Sequence, residues 1–205
     1  MKPIFAKPTD FPLSLRSADQ AARGLKLVCI GLVLILVFGG WVWFVPWLSL
    51  SLKKIGILIT MIGKIKCLSA ARAAGCQQLI LITAVIDLIG LTGAVIDLIG
   101  LTGIAFLGFN GSGLLATIGI LVFLLFLLKL GRLIGDNSLA NKTKFLVGLV
   151  WIALVPMAAT ALIWSVPNLA AIVGGFYYFG MIVNLIFTVL LISLLVRFGT
   201  VLMDA

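Results

Sequence analysis

Long runs of apolar residues separated by short polar segments dominate the pattern along this chain of 205 residues. The clearest runs cover residues 25–43, 79–107, 114–134, 145–164 and 169–196. Each has about 20 residues or more, the length that an α-helix needs to cross the hydrocarbon core of a bilayer. A membrane barrel would need short strands of alternating polarity instead, so these continuous runs predict transmembrane α-helices.

The segment 48–68 is harder to interpret, because its uncharged centre is only about 14 Å long as a helix. It could lie flat at the interface, or it could cross the bilayer if its lysines reach both surfaces. These are Lys53 and Lys54 at one end and Lys64 and Lys66 at the other. A crossing leaves only Lys53 and Lys54 outside, which the positive-inside rule favours. We therefore predict an all-α polytopic bundle of six spans with cytoplasmic termini; the alternative is five spans plus an interfacial helix.

Composition supports a membrane protein. Hydrophobic residues make up 63% of the chain and charged residues 10%, against about 45–50% and about 25% in globular domains. The net charge of +9 lies mostly in short segments between apolar runs. No basic stripe is interleaved with aromatic residues, so the charge indicates topology rather than nucleic-acid binding.

The spans divide the chain into three parts. Residues 1–24 are a predicted cytoplasmic N-terminal segment, 25–196 the transmembrane domain and 197–205 a cytoplasmic tail. The N-terminal segment is polar and no cleavage site follows the first apolar run, so a secretory signal is not expected. The first run ends in tryptophans that favour the membrane interface, namely Trp41, Trp43 and Trp47. Residues 109–113 and 165–168 are predicted turns, and Gly135 a left-handed helix cap.

A perfect repeat of ten residues lies in the third run, at 84–93 and 94–103. It places Asp87 and Asp97 in an apolar helix, about 80° apart around the axis and ~15 Å apart along it. They cannot act together on one ligand at this distance. A carboxylate inside a bilayer costs about 3 kcal/mol, so each is a candidate ion or proton site, with Thr92 or Thr102 nearby.

A passive copy is the alternative explanation of the second aspartate. Either residue could then lie near an interface, carry a proton or form a hydrogen bond to another helix. The sequence shows no Lys or Arg partner for these carboxylates within another span. That absence favours a passive copy over a functional site.

Glycines in the apolar runs predict close helix packing, because small residues let helix backbones approach each other in a membrane. The predicted packing residues are Gly90, Gly93, Gly100, Gly103, Gly174 and Gly175.

Residue types needed for most chemistry are missing. The chain has no histidine, and none of its three cysteines forms a C-x-x-C pair, so a metal site is not expected. No nucleophile–base pair or phosphate-binding loop is present, so an enzyme is not expected. The residues do not indicate a cofactor.

Two segments resemble parts of uncharacterised polytopic membrane proteins of planctomycete-type bacteria. One is residues 63–76, with Lys-Cys-Leu at the end of the second span; the other is residues 124–140, with Gly-Asp after a basic segment. The resemblance covers residues 25–196 in outline and implies six spans. It implies no activity and no functional residue, and the ten-residue repeat departs from it.

These observations predict a multi-pass protein of the bacterial inner membrane, most consistent with a small accessory or structural subunit of a larger membrane complex. The alternative is a small transporter or channel that uses Asp87 or Asp97. The expected partners are the lipid bilayer and either other membrane subunits or further copies of the chain. Nucleic acid is not expected.

Overall fold

A computed structural model describes residues 13–39, 46–98, 105–163 and 170–204, and in these ranges the chain is helical without strands. The helices are α1 (Leu15–Gly39), α2 (Pro46–Lys66), α3 (Leu68–Ala73), α4 (Gln77–Leu98), α5 (Ala105–Ile134), α6 (Asn137–Ile163) and α7 (Ala170–Met203). The predicted all-α class is therefore confirmed over the described residues.

Three of the helices have described segments long and apolar enough to cross a membrane. These segments are Leu15–Val37 in α1, Thr117–Ile134 in α5 and Leu185–Met203 in α7. The apolar part of α4, Gln77–Thr92, is shorter. Membrane-length apolar helices are thus present, while the number of six spans and the side of the termini stay predictions.

The third apolar run departs from its predicted form. Helix α4 ends at Leu98, residues 99–104 lie outside the described ranges, and α5 begins at Ala105. Because α4 packs alongside α5, the prediction of one span over 79–107 is wrong. The predicted turn at 109–113 is also wrong, since these residues lie inside α5. Lipid cannot hydrogen-bond exposed backbone groups, so a membrane favours continuing a helix through residues that would form a turn in water.

The connection between α5 and α6 is built as predicted, with Gly135 at a positive φ of 79°. The amide of Asp136 donates to the carbonyl of Gly131 at 3.1 Å, which closes the end of α5. The Asp136 carboxylate then accepts the amides of Ser138 at 2.8 Å and Leu139 at 3.0 Å. Because this carboxylate caps its N-terminus, α6 starts well before the apolar run that predicted it.

The long helices pack in chain order, and the last packs on the first. Contacts join α1 to α2, α2 to α4, α4 to α5, α5 to α6, α6 to α7 and α7 to α1. The short α3 contacts α1, α2, α4 and α5. Buried residues concentrate near α3, where Ala70 and Ala71 are fully buried together with Leu130, Leu139 and Phe198.

Close backbone contact holds α1 against α2. A Cβ atom on Gly24 would lie 2.6 Å from the carbonyl oxygen of Gly63, and one on Gly31 would lie 2.6 Å from that of Gly56. Real Cβ atoms are not found so near a carbonyl oxygen, so only glycine allows this approach. The two pairs are seven residues apart on both antiparallel helices, and they hold the end of α2 inside the bundle.

Candidate functional site

The candidate site is a buried ion pair between α2 and α4. The Nζ atom of Lys64 lies 2.7 Å from Oδ2 and 3.0 Å from Oδ1 of Asp87, so it donates to both carboxylate oxygens. The Lys64 side chain is 4% exposed and that of Asp87 14%. Among the described residues, this is the ion pair that lies inside the bundle; the other, Arg23 with Asp19, is on the surface.

Helix geometry explains how Lys64 reaches Asp87. Helical side chains slope towards the N-terminus of their helix, so Lys64 extends back along α2 rather than out beyond its end. Asp87 lies ~15 Å along α4 from Gln77, its first residue. The turn through α3 brings the end of α2 and the start of α4 to the same end of the bundle.

Helix α5 encloses the pair on a third side. The ring centroid of Phe123 lies 5.4 Å from Nζ of Lys64, within the range of a cation–π contact. Phe123 is itself only 2% exposed. One turn earlier, a Cβ atom on Gly119 would lie 3.9 Å from Oδ1 of Asp87. The same Cβ atom would lie only 3.0 Å from Cγ2 of Ile86, so the absence of a side chain at Gly119 lets α5 lie close to α4 beside the carboxylate.

Hydroxyl groups one turn before each charge are satisfied by their own helices. Thr60 is buried and its Oγ1 donates to the carbonyl of Gly56 at 2.8 Å. Thr83 is fully buried and donates to the carbonyl of Ile80 at 2.9 Å. Neither hydroxyl therefore uses its proton on the ion pair, and the two charges neutralise each other.

The expectation that Asp87 lacks a basic partner on another helix is wrong. Lys64 was expected at the cytoplasmic surface as part of a topology pattern, whereas it is buried with Asp87. One feature of the sequence indicates that Lys64 lies on a packing face of α2, although it does not identify Asp87 as the partner. Gly56, Thr60 and Lys64 are spaced by four residues, which places small and polar residues on one stripe of α2.

The other candidate site residues of the repeat are Asp97, Thr92 and Thr102. Asp97 lies near the end of α4, but its side chain is outside the described part of the chain, as is Thr102. Thr92 is exposed and its Oγ1 donates to the carbonyl of Ile89 at 2.8 Å. The structure therefore joins Asp87 to Lys64 rather than to Thr92.

Most of the predicted packing glycines and interface tryptophans have surroundings outside the described part of the structure. A Cβ atom on Gly90 would meet no described atom within 4 Å, and its packing role stays a prediction. The surroundings of Gly93, Gly174, Gly175 and the Trp47 side chain lie outside the described part, as do Gly100, Gly103, Trp41 and Trp43 altogether. The contacts of Gly24, Gly31, Gly56 and Gly63 were not predicted, although their seven-residue spacing is visible in the sequence.

The thiols at the α3 end of the bundle are shielded. The Cys67 thiol is fully buried, and its Sγ lies 3.4 Å from the carbonyl oxygen of Gly63. Burial raises the pKa of Cys76, against the opposing effect of the Lys129 charge. No group of three or more potential metal ligands occurs among the residues that the structure describes.

Comparisons with protein-family models, curated proteins and solved structures find no match to this chain. The resemblance of residues 63–76 and 124–140 to planctomycete membrane proteins stays a prediction. The functional interpretation consequently depends on the geometry around Lys64 and Asp87.

Proposed function

We propose that the chain is a multi-pass protein of the bacterial inner membrane that serves as a small structural or accessory subunit of a larger membrane complex. The observation that carries this proposal is the Lys64–Asp87 pair, enclosed by Phe123. Both carboxylate oxygens of Asp87 accept from one ammonium group. The pair therefore acts as a fixed link between α2 and α4.

The exposed face of α4 supports a membrane setting. Leu81, Ile82, Val85, Leu88 and Ile89 are each between 47% and 55% exposed. They lie together on the face of α4 that points away from the buried ion pair. This arrangement, with charges inside and large apolar side chains outside, suits acyl chains or the apolar surface of another membrane subunit.

The positions of the basic residues support the predicted orientation. The Lys129 charge acts on the Cys76 thiol, so the α3–α4 turn lies near the end of α5. A Cβ atom on Gly131 would lie 3.3 Å from the Phe198 ring, so the end of α7 lies there too. The exposed Arg72, Arg132 and Arg197 thus share one end of the bundle, as expected for a cytoplasmic surface in six-span topology.

The same pair disfavours a transporter or channel that uses Asp87. A cation on this carboxylate would have to displace the Lys64 ammonium, which lies 2.7 Å from Oδ2. Displacement would leave that ammonium buried and unpaired, at a cost of several kcal/mol.

Purification in a mild detergent, followed by identification of the bound chains, tests the proposed role. We expect other membrane subunits to co-purify at a fixed ratio. A preparation containing only a monodisperse homo-oligomer would contradict an accessory role.

Reconstitution into liposomes tests the alternative. The wild-type chain should give the same proton and cation flux as empty liposomes. Flux that appears with the wild type and disappears with Asp87→Asn would overturn the structural role in favour of transport.

A further inference from the structure

A groove of about 440 Å³ lies between α6 and α7. The lining residues include Lys142, Phe145 and Leu146 of α6 and Leu190, Leu194 and Arg197 of α7. On α6, Phe145 and Leu146 follow Lys142 by three and four residues, so all three lie on one face of the helix. The lining is therefore a continuous surface of two neighbouring helices.

Two cationic side chains, Lys142 and Arg197, lie at one end of this groove. Lys142 lies in the second turn of α6 and Arg197 in the last two turns of α7, and both are exposed. In the part of the chain that the structure describes, neither forms an ion pair, since the pairs there are Arg23–Asp19 and Lys64–Asp87. The groove thus offers two positive charges that no carboxylate of the described chain neutralises.

Apart from the hydroxyl groups of Ser193 and Thr200, the rest of the groove is apolar. Phe145, Leu146, Leu190 and Leu194 lie further towards the middle of α6 and α7 than the two cations do. Polarity therefore changes along the groove from cationic near the helix ends to apolar inside the span. An anionic glycerophospholipid has the same order of groups, with a phosphate at the interface and acyl chains below it.

We propose that this groove binds one anionic glycerophospholipid. Lys142 and Arg197 contact the phosphate, where the guanidinium offers two parallel donors and the ammonium a point charge. One acyl chain lies against Phe145 and Leu190. The proposal is independent of the accessory role and requires only that α6 and α7 cross the membrane with these ends at the headgroup region.

Native mass spectrometry tests the site. The chain is reconstituted into phosphatidylcholine vesicles with phosphatidylglycerol, extracted in mild detergent and examined for retained lipid. We expect retained phosphatidylglycerol on the wild type, about fivefold weaker retention for Lys142→Gln or for Arg197→Gln, and a larger loss for the double variant. Lys142→Arg should retain the lipid, because it keeps the charge.

Lys144→Gln is the matched control, because Lys144 is also exposed on α6 but does not line the groove. It should retain phosphatidylglycerol as the wild type does. An equal loss with Lys144→Gln would show that general surface charge attracts the lipid and would overturn the proposal. Unchanged retention in the double variant would show that Lys142 and Arg197 do not hold the lipid and would also overturn it.

A second variant separates a phospholipid from a simple anion. Leu190→Trp fills the apolar part of the groove and leaves both cations in place, so it should expel the phospholipid. Retention unaffected by Leu190→Trp but abolished by excess inorganic phosphate would indicate an anion site without an acyl chain and would contradict the proposal. The readout is bound lipid, so failure here is distinct from failure to find partner subunits.

Discussion

The Nζ atom of Lys64 lies 2.7 Å from Oδ2 of Asp87. These two residues are 23 positions apart in the sequence, and their ion pair links α2 to α4. Both side chains are largely buried, and the ring of Phe123 lies over the ammonium. Inside a bundle, such a pair contributes little net stability when intact, but the loss of one partner leaves an unpaired buried charge. The predictions below start from this asymmetry.

Asp87→Asn should destabilise the fold, because it leaves the Lys64 ammonium buried without a counter-charge. We expect the free energy of unfolding to fall by about 3–5 kcal/mol, measured in mixed micelles of a mild detergent and dodecyl sulfate. Asp97→Asn is the control, since it changes the same residue in an identical ten-residue sequence and leaves the pair intact. Equal effects of the two substitutions would contradict a specific role of Asp87.

Replacing both charged residues should restore much of the free energy of unfolding that a single replacement removes. The double variant Lys64→Met, Asp87→Leu eliminates the unpaired charge and fills the space with apolar groups, which buried pairs often tolerate. A double-mutant cycle measures the coupling, and we expect it to exceed about 1 kcal/mol. Strictly additive single effects would show that Lys64 and Asp87 act independently.

Gly31→Ala should weaken the contact between α1 and α2. Its new Cβ atom would lie 2.6 Å from the Gly56 carbonyl oxygen, so the helices must separate. Overpacking of this kind costs about 1–3 kcal/mol of the free energy of unfolding. Gly90→Ala, which meets no described atom within 4 Å, should be neutral or up to about 1 kcal/mol stabilising, because alanine favours a helix. The reverse order would contradict the observed packing.

Single cysteines in a cysteine-free chain test the topology. With six spans, Lys7→Cys and Arg72→Cys should react with a membrane-impermeant maleimide from the cytoplasmic side, and Asn168→Cys from the opposite side. The five-span alternative predicts opposite sides for positions 7 and 72, because residues 49–78 would then form one loop. Opposite labelling of those two positions would therefore exclude six spans.

Local sequence features predicted the helix ends that depend on local chemistry. Gly135 forms the predicted left-handed cap because a positive φ involves only adjacent residues. The N-terminal cap by Asp136 was not predicted, although it too is local. The turn at 109–113 failed for the opposite reason. Its composition favours a turn in water, whereas α5 continues through it from Ala105 to Ile134.

The partner of Asp87 could not be predicted from local pattern, because a lysine near the end of an apolar segment fits both a topology signal and a buried ion pair. The contacts of Gly24 with Gly63 and of Gly31 with Gly56 decide between the two. Because these contacts pack α2 closely against α1, Lys64 lies inside the bundle. Seven-residue spacing indicates a possible packing stripe, but it does not identify the opposing helix.

The amino-acid sequence by itself determined that this chain is helical and apolar enough for a membrane, because the length and composition of the runs are properties of each segment alone. The tertiary structure decided which charges meet and which glycines are in contact. Lys64 and Asp87 lie on different helices, and their distance depends on how the helices pack rather than on the residues between them.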